Sequence, residues 1–285
     1  MPRGMQLALV RHLWGVDTGK DLEPRFAYWR DLGYEGIEAP LFAVSDFQRF
    51  RQALRDQAFF WIPQIFTGVD HSRSVEDHVR TLGEQMESCL EGRPIFFNAQ
   101  SGCDAWSLQE AHKFFGRAVE IEKSIGVAVC HETHRSRYLG NPWNTMAILK
   151  RVPELKLTCD LSHWVCVAER LLPDCGEELA AAAGHCEHIH ARVGYEEGPQ
   201  IPDPRAPEWV NHLNAHETWW DQIWRAQRAR GMQRSTLTPE FGPPPYMHTL
   251  PFTQQPLANL AEVCDWMALR QRERFAASQH GHGLM

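Results

Sequence analysis

Glu187-His188-Ile189-His190-Ala191-Arg192 is the stretch whose reading decides how this chain folds. As a β-strand it turns His188, His190 and Arg192 to one face and Ile189 and Ala191 to the other, because side chains alternate with period two. Two imidazoles and a guanidinium make a poor hydrophobic layer. They make a start on a metal or anion site, since imidazole is the commonest metal ligand. A polar strand with its histidines in solvent would explain this stretch taken alone. Three other short apolar runs, however, end in a carboxylate. Val127 to His131 leads into Glu132, Leu155 to Cys159 into Asp160, and Thr236 to Pro239 into Glu240.

Working outward, short apolar strands alternate with helix-period segments along the whole chain. Strands are expected at 7–10, 36–39, 59–65, 95–98, 127–132, 155–160, 187–192 and 236–240. Between them, Pro24 to Leu32 has helical apolar spacing and stops at Gly33. Ser74 opens a helix with Val75, Val79, Leu82, Met86 and Cys89 on one face. Ser107 and Glu110 form a capping box. Further helices are read at 142–152, with Pro142 in the first turn, and from Val165 through Ala183. A Trp-rich helix (Trp219, Trp220, Trp224) ends at Arg230, and the last helix starts near Leu257. Eight such alternations without a composition break predict an α/β chain folded as a single (β/α)8 TIM barrel. It would form one domain over 1–285, with the barrel over about 6–270 and a C-terminal tail, 271–285, whose histidines are given no role. An open doubly wound sheet is the alternative, disfavoured because no GxGxxG follows the first strand.

Bulk properties narrow the function classes. The chain has 285 residues, 43% of them hydrophobic, enough for a large core. Its net charge of −7 argues against a nucleic-acid binder, which would carry a basic surplus. The eight cysteines show no CxxC or zinc-ribbon spacing and read as small core residues in a reducing compartment. No run approaches the ~18 apolar residues of a membrane helix, and no signal peptide is recognisable. A cytoplasmic location is expected, with no membrane partner.

Barrel parity gives the carboxylates their meaning. With Asp160 facing the axis, Leu155, Leu157, Cys159 and Leu161 face the helices, as a buried outer layer should. With Glu132 inward, Val127 and Val129 face out; with Glu240 inward, Leu237 faces out; with His190 inward, Ile189 and Ala191 face out. Parity thus puts Glu132, Asp160, His190 and Glu240 on the axis near the C-terminal ends of strands five to eight, where barrel active sites lie. Three carboxylates and an imidazole suit a divalent ion such as Mn²⁺, Mg²⁺ or Co²⁺, with Zn²⁺ also admitted, better than thiolate-preferring copper. Arg192, with Arg137 or His134 in support, suits a carboxylate or phosphate on a substrate. Glu38, Gln64 and Asn98 lie at strand ends within reach of hydroxyls.

These residues resemble the xylose isomerase-like barrel superfamily, in particular the sugar isomerase/epimerase branch that includes ketose 3-epimerases and hydroxypyruvate isomerase. The resemblance rests on Glu132, Asp160-Leu161-Ser162-His163, His188-Ile189-His190 and Glu240. It implies metal ligation by Glu132, Asp160, His190 and Glu240, and a catalytic or substrate role for His163. Arg192, His188, His134, Arg137 and Glu38 would contact the substrate. The chemistry implied is proton transfer next to a carbonyl through a metal-stabilised enediolate, with Glu132 and Glu240 as base and acid. The expected substrate is a small carbohydrate-like molecule, and the chain is open to homo-oligomerisation. Two features depart from the family pattern: Phe241 follows the strand-eight Glu, and His134-Arg135-Ser136-Arg137 is more basic than a plain ketose pocket needs. Related barrels suggest an alternative, a metal-dependent lyase or dehydratase on a cyclic polyol or keto acid. A phosphodiesterase acting on damaged DNA and a non-catalytic sugar-binding barrel are the remaining rivals.

Overall fold

In the computed structural model, which describes residues 4–68 and 70–279, eight parallel strands close into one barrel in chain order. They are β1 (Gln6–His12), β2 (Tyr34–Ala39), β3 (Phe60–Phe66), β4 (Phe97–Gln100), β5 (Val129–Glu132), β6 (Lys156–Cys159), β7 (Cys186–His190) and β8 (Arg234–Thr238). β1 closes the ring against β8, with Gln6 opposite Arg234 and Leu9 opposite Leu237.

Register follows from the expected parity. Leu157, Ile189 and Leu237 are fully buried in the apolar layer between barrel and helices. Thr158, His188 and Thr236, their neighbours in sequence, point inward. Burying each of those aliphatic side chains is worth about 1.5–3 kcal/mol. A one-residue slip would move all three to the wrong face and the ligands with them, so packing outside the barrel sets what faces its axis.

The helices correct the sequence reading in places. The expected helix from Val165 to Ala183 is two helices, Ser162–Ala168 and Gly176–His185. The run breaks at Glu169, which caps the first helix with a left-handed φ of 51°, and Leu172, before Pro173, is also turned out of helical geometry at 55°. The last helix, Leu260–Gln279, starts three residues later than expected and continues well past residue 270. His280 and His282 lie outside the described residues. The capping box at Ser107 and the Ser74 cap are both formed. All eight cysteines are free, with Cys103 and Cys166 partly exposed and the rest buried. No helix among the described residues is long and apolar enough to cross a membrane.

Candidate active site

Glu132 ends β5 and His190 ends β7, while Asp160 and Glu240 lie one and two residues beyond the ends of β6 and β8. Each offers one ligand atom, and the four atoms lie within 4.8 Å of one another. The backbone just past the strands is held for this. Thr133 Oγ1 donates to the Asp160 carbonyl and accepts from the Asp160 N–H, both at 2.8 Å, and Ala191 N–H donates to the Thr238 carbonyl at 2.7 Å.

Three of the four groups are anchored by one atom and leave the other free. Glu132 Oε2 accepts from Asn98 Nδ2 (3.0 Å), and Glu132 Oε1 is buried without a hydrogen-bond partner. Glu240 Oε1 accepts from Gln64 Nε2 at 3.5 Å, and Oε2 is left without one. His190 Nε2 donates to Glu38, 2.9 and 3.1 Å from its two oxygens, and Nδ1 is likewise unpartnered. Nδ1 lies 3.0 Å from Glu240 Oε2, 3.7 Å from Glu132 Oε1 and 4.0 Å from Asp160 Oδ2, without the alignment of a hydrogen bond. Asp160 differs. Its Oδ1 accepts from the Ser162 N–H and hydroxyl, and its Oδ2 from Arg192 Nη2 at 2.5 Å.

The electrostatics are those of crowded anions out of water. Burial is the strongest influence on every group here. It pushes the Asp160 carboxyl up to about 7, with Glu240 and Glu132 adding to the rise and Arg192 and His190 opposing it. For Glu132 and Glu240, burial is outweighed by His190, and for Glu240 also by Arg192, so both carboxyls are held low. His190 is raised well above its ordinary value, because Glu240, Glu38 and Glu132 together overcome its burial. A neutral imidazole and three carboxylates fit a divalent cation, and an ion would take over the compensation that the imidazolium now provides.

The remaining expected residues divide by place. Arg192 reaches the site: besides Asp160, its Nη2 lies 2.6 Å from His163 Nε2 and 3.3 Å from Glu240 Oε2, and its guanidinium carbon lies 5.2 Å from the Tyr246 ring centroid. His163 is fully buried beside Arg192. Burial holds it neutral, reinforced by the charges of Arg192 and its histidine neighbour, so its Nε2 accepts the Arg192 N–H. It positions Arg192 and does not line the open cavity. His134 does line that cavity. Its ring centroid lies 4.0 Å from that of His163 with the planes tilted by 52°, and burial lowers it to about 4.

Glu38 and His188, expected at the substrate, lie below the open cavity, and Arg137 faces a second one. Glu38 is fully buried and both its oxygens are occupied: Asn98 donates to Oε1 (2.9 Å) and Thr238 to Oε2 (2.6 Å), besides the two histidines. It orients His190 from below. His188 is sealed in the barrel between Thr236, Thr238 and the Phe96 ring. Arg137 lies in a separate, larger cavity, with Nη1 donating to the Thr67 carbonyl at 2.5 Å.

Above the ligand set opens a cavity of about 310 Å³, lined by Glu240, Arg192, His134, Gln64, Gln100 and Phe66, with Trp14 and Tyr246 at one side. Trp14 and Tyr246 meet edge to face at 4.8 Å. The chain at Gly242 passes so near Trp14 that a Cβ there would lie 2.2 Å from the indole. Trp14, Gln100 and Tyr246 were not foreseen. The Gly242-Pro243-Pro244-Pro245 run before Tyr246 was the available signal of a rigid, close-packed loop.

No family model matches the chain, and no curated protein matches its sequence. Solved structures do match. A xylose isomerase-like TIM barrel protein from Mycobacterium smegmatis in complex with magnesium superposes with a TM-score of 0.62 at 15% identity, covering 95% of this chain and 97% of that one. The fold is that of the xylose isomerase-like TIM barrels. The same architecture relates the chain to a 3-keto-D-glucoside 4-epimerase from E. coli, with TM-score 0.59, 10% identity, and 95% and 99% covered. It also relates it to an AP endonuclease of family 2 from Brucella melitensis, with TM-score 0.60, 13% identity, and 92% and 98% covered. One barrel hosts unlike chemistries, so the reaction has to be argued from the site.

Proposed function

We propose that this chain is a divalent-metal-dependent isomerase or epimerase of a sugar, keto-polyol or related hydroxy-carbonyl compound. The observation that carries this reading is the convergence of three buried, unpartnered ligand atoms, Glu132 Oε1, Glu240 Oε2 and His190 Nδ1, on one point. Asp160, Glu132, Glu240 and His190 would hold the ion, and the oxygen-rich set favours Mn²⁺, Mg²⁺ or Co²⁺, with Zn²⁺ admitted. When bound, the ion supplies a Lewis acid for the negative charge that develops on a carbonyl oxygen as a neighbouring C–H is lost.

The chain's own residues do the rest. Glu240 lines the cavity and Glu132 lies beneath it, three strands away around the ring, so their carboxylates reach a central substrate from different sides. One takes the proton from carbon and the other returns one. Arg192, fixed by Asp160, Ser162 and His163, presents its charge to the substrate's oxygens, and Gln64 and Gln100 offer amide donors. Trp14 and Tyr246 exclude water on one side, which strengthens each of these interactions.

A second ion at Glu132, His134 and His163, which also lie within 4.8 Å of one another, is opposed by the Arg192 guanidinium already on His163. That supports single-ion chemistry over multi-metal phosphodiester cleavage, as does the net charge of −7. Metal analysis of the purified protein followed by a screen of ketoses and keto-polyols for deuterium uptake from D₂O tests the reading. Mass-neutral exchange is expected; loss of water from the substrate would instead mark a dehydratase, and nicking of abasic DNA a nuclease.

A further inference from the structure

The small cavity over the ligand set does not stand alone. A second cavity of about 930 Å³ adjoins it and shares two of its walls, Gln64 and Phe66. Gln64 is the junction, since its amide also reaches Glu240. The small space is at the lower end of ligand-pocket volumes and the large one at the upper end, so a molecule confined to the first would leave most of the site unfilled. The walls of the larger cavity differ in chemistry from the first. Leu41, Phe42, Ile65 and Phe66 give it an apolar side, and Phe42 stands 79% exposed beside Phe66, ring centroids 5.7 Å apart. An aromatic side chain that exposed, at the wall of a cavity, leaves its face available for a ring to stack on.

Arg137 supplies the polar end. It is half-buried, its Nη1 is tied to the Thr67 carbonyl, and its Nε is buried with no partner. It forms no ion pair among the described residues, and Asp104, on the exposed rim of the same cavity, makes none with it. Burial accordingly lowers its proton affinity. Glu132 and Asp104 offset that burial only in part and neither pairs with it, so a guanidinium taken partly out of water here is costly, and a planar anion is the group that relieves it.

We propose that the substrate has two parts. Its hydroxy-carbonyl head occupies the small cavity over Glu132, Asp160, His190 and Glu240, and a ring-bearing tail carrying an anionic group fills the larger one, with the ring on Phe42 and the anion on Arg137. The head assignment rests on the proposed function; the tail assignment rests on the second cavity and can be tested apart from turnover.

The experiment is calorimetric binding of phenylacetate, phenyl phosphate and uncharged 2-phenylethanol to the full chain loaded with Mn²⁺. At least one of the anions is expected to bind about tenfold or more tighter than the alcohol, the worth of a charge-assisted hydrogen bond. Which of the two wins separates a carboxylate tail from a phosphate one. Arg137→Met should remove that preference, and Phe42→Ala, at an exposed position that cannot unfold the barrel, should weaken all bound probes about fivefold. Failure of both anions to bind, or a preference unchanged in Arg137→Met, overturns the tail, as does an unchanged affinity in Phe42→Ala. His190→Ala separates the two readings. If it empties the metal site while the probes still bind, head and tail are independent as proposed. If wild-type protein takes no ion yet binds the anions through Arg137, the proposed chemistry falls and the tail site stands.

Discussion

At the scale of single residues, Glu38 settles which nitrogen of His190 faces the ligand point. By accepting from Nε2 at 2.9 Å it fixes the ring so that Nδ1 turns toward Glu240, Glu132 and Asp160. A carboxylate behind a ligating histidine fixes its tautomer and raises its basicity. Glu38→Gln is therefore expected to weaken divalent-metal affinity by about 10–100-fold, read by competition with a chelator, while the far-ultraviolet circular dichroism stays unchanged. His190→Ala and Asp160→Asn should go further and empty the site with the barrel still folded. Stoichiometric metal in both variants would sink the ligand assignment. For proton transfer the deciding variant is Glu240→Gln, assayed for C–H exchange in D₂O with metal content measured in the same sample. A base predicts a loss of about 10²–10⁴-fold at full occupancy; exchange at the normal rate would leave Glu240 an anchor only.

At the scale of elements, the strand ends deliver the ligands and the loops beyond them hold the exact positions. Gly194 is one such hold: a Cβ there would lie 2.6 Å from the Ser162 carbonyl oxygen, and Arg192, two residues earlier, bonds Ser162 and Asp160. Gly194→Ala should cost about 1–3 kcal/mol by overpacking, seen as a lower urea midpoint, and should displace Arg192 enough to reduce activity as well. Strand parity made the convergence of Glu132, Asp160, His190 and Glu240 legible in the sequence, because each of these strands has an unmistakably apolar outer face, as in Leu157 against Thr158 or Ile189 against His190. Parity tells which way a side chain points and is silent on how far along the axis it sits. Parity alone therefore assigns Glu38 and His188 to the substrate, although neither lines the cavity. Trp14, Gln100 and Tyr246 come from segments at or past strand ends, where no period applies. Arg137 and His134, three residues apart on one loop, were expected together and line different cavities.

At the scale of the whole molecule, the proposed ligand set would tie stability to pH and metal. The unfolded chain would release the Asp160 proton near pH 4 and that of His190 near pH 6.5, at about their ordinary values. Folded and without an ion, Asp160 keeps its proton to about 7 and His190 to well above its ordinary value. Both therefore bind more protons in the native state as pH rises through those windows, and the stability they contribute is progressively lost. Glu38, Glu132 and Glu240 are held low and are ionised throughout this range, so they do not alter the comparison. An ion displaces the extra protons, so the rise in Tm given by saturating Mn²⁺ should be larger at about pH 8 than at about pH 5.5. Scanning calorimetry at the two pH values checks this, and an equal or reversed difference would count against the cluster as the binding site.

The order of the strands also has a bearing on biosynthesis. β1 waits for β8, its partner more than 200 residues away, and Glu240 lies two residues past that last strand. A nascent chain emerging N-terminus first thus carries three of its four donors on an unclosed sheet whose two edges are bare. If the four side chains hold an ion as proposed, the full donor set is assembled only once the seam has zipped shut, and metal would then act as a lock on the finished ring.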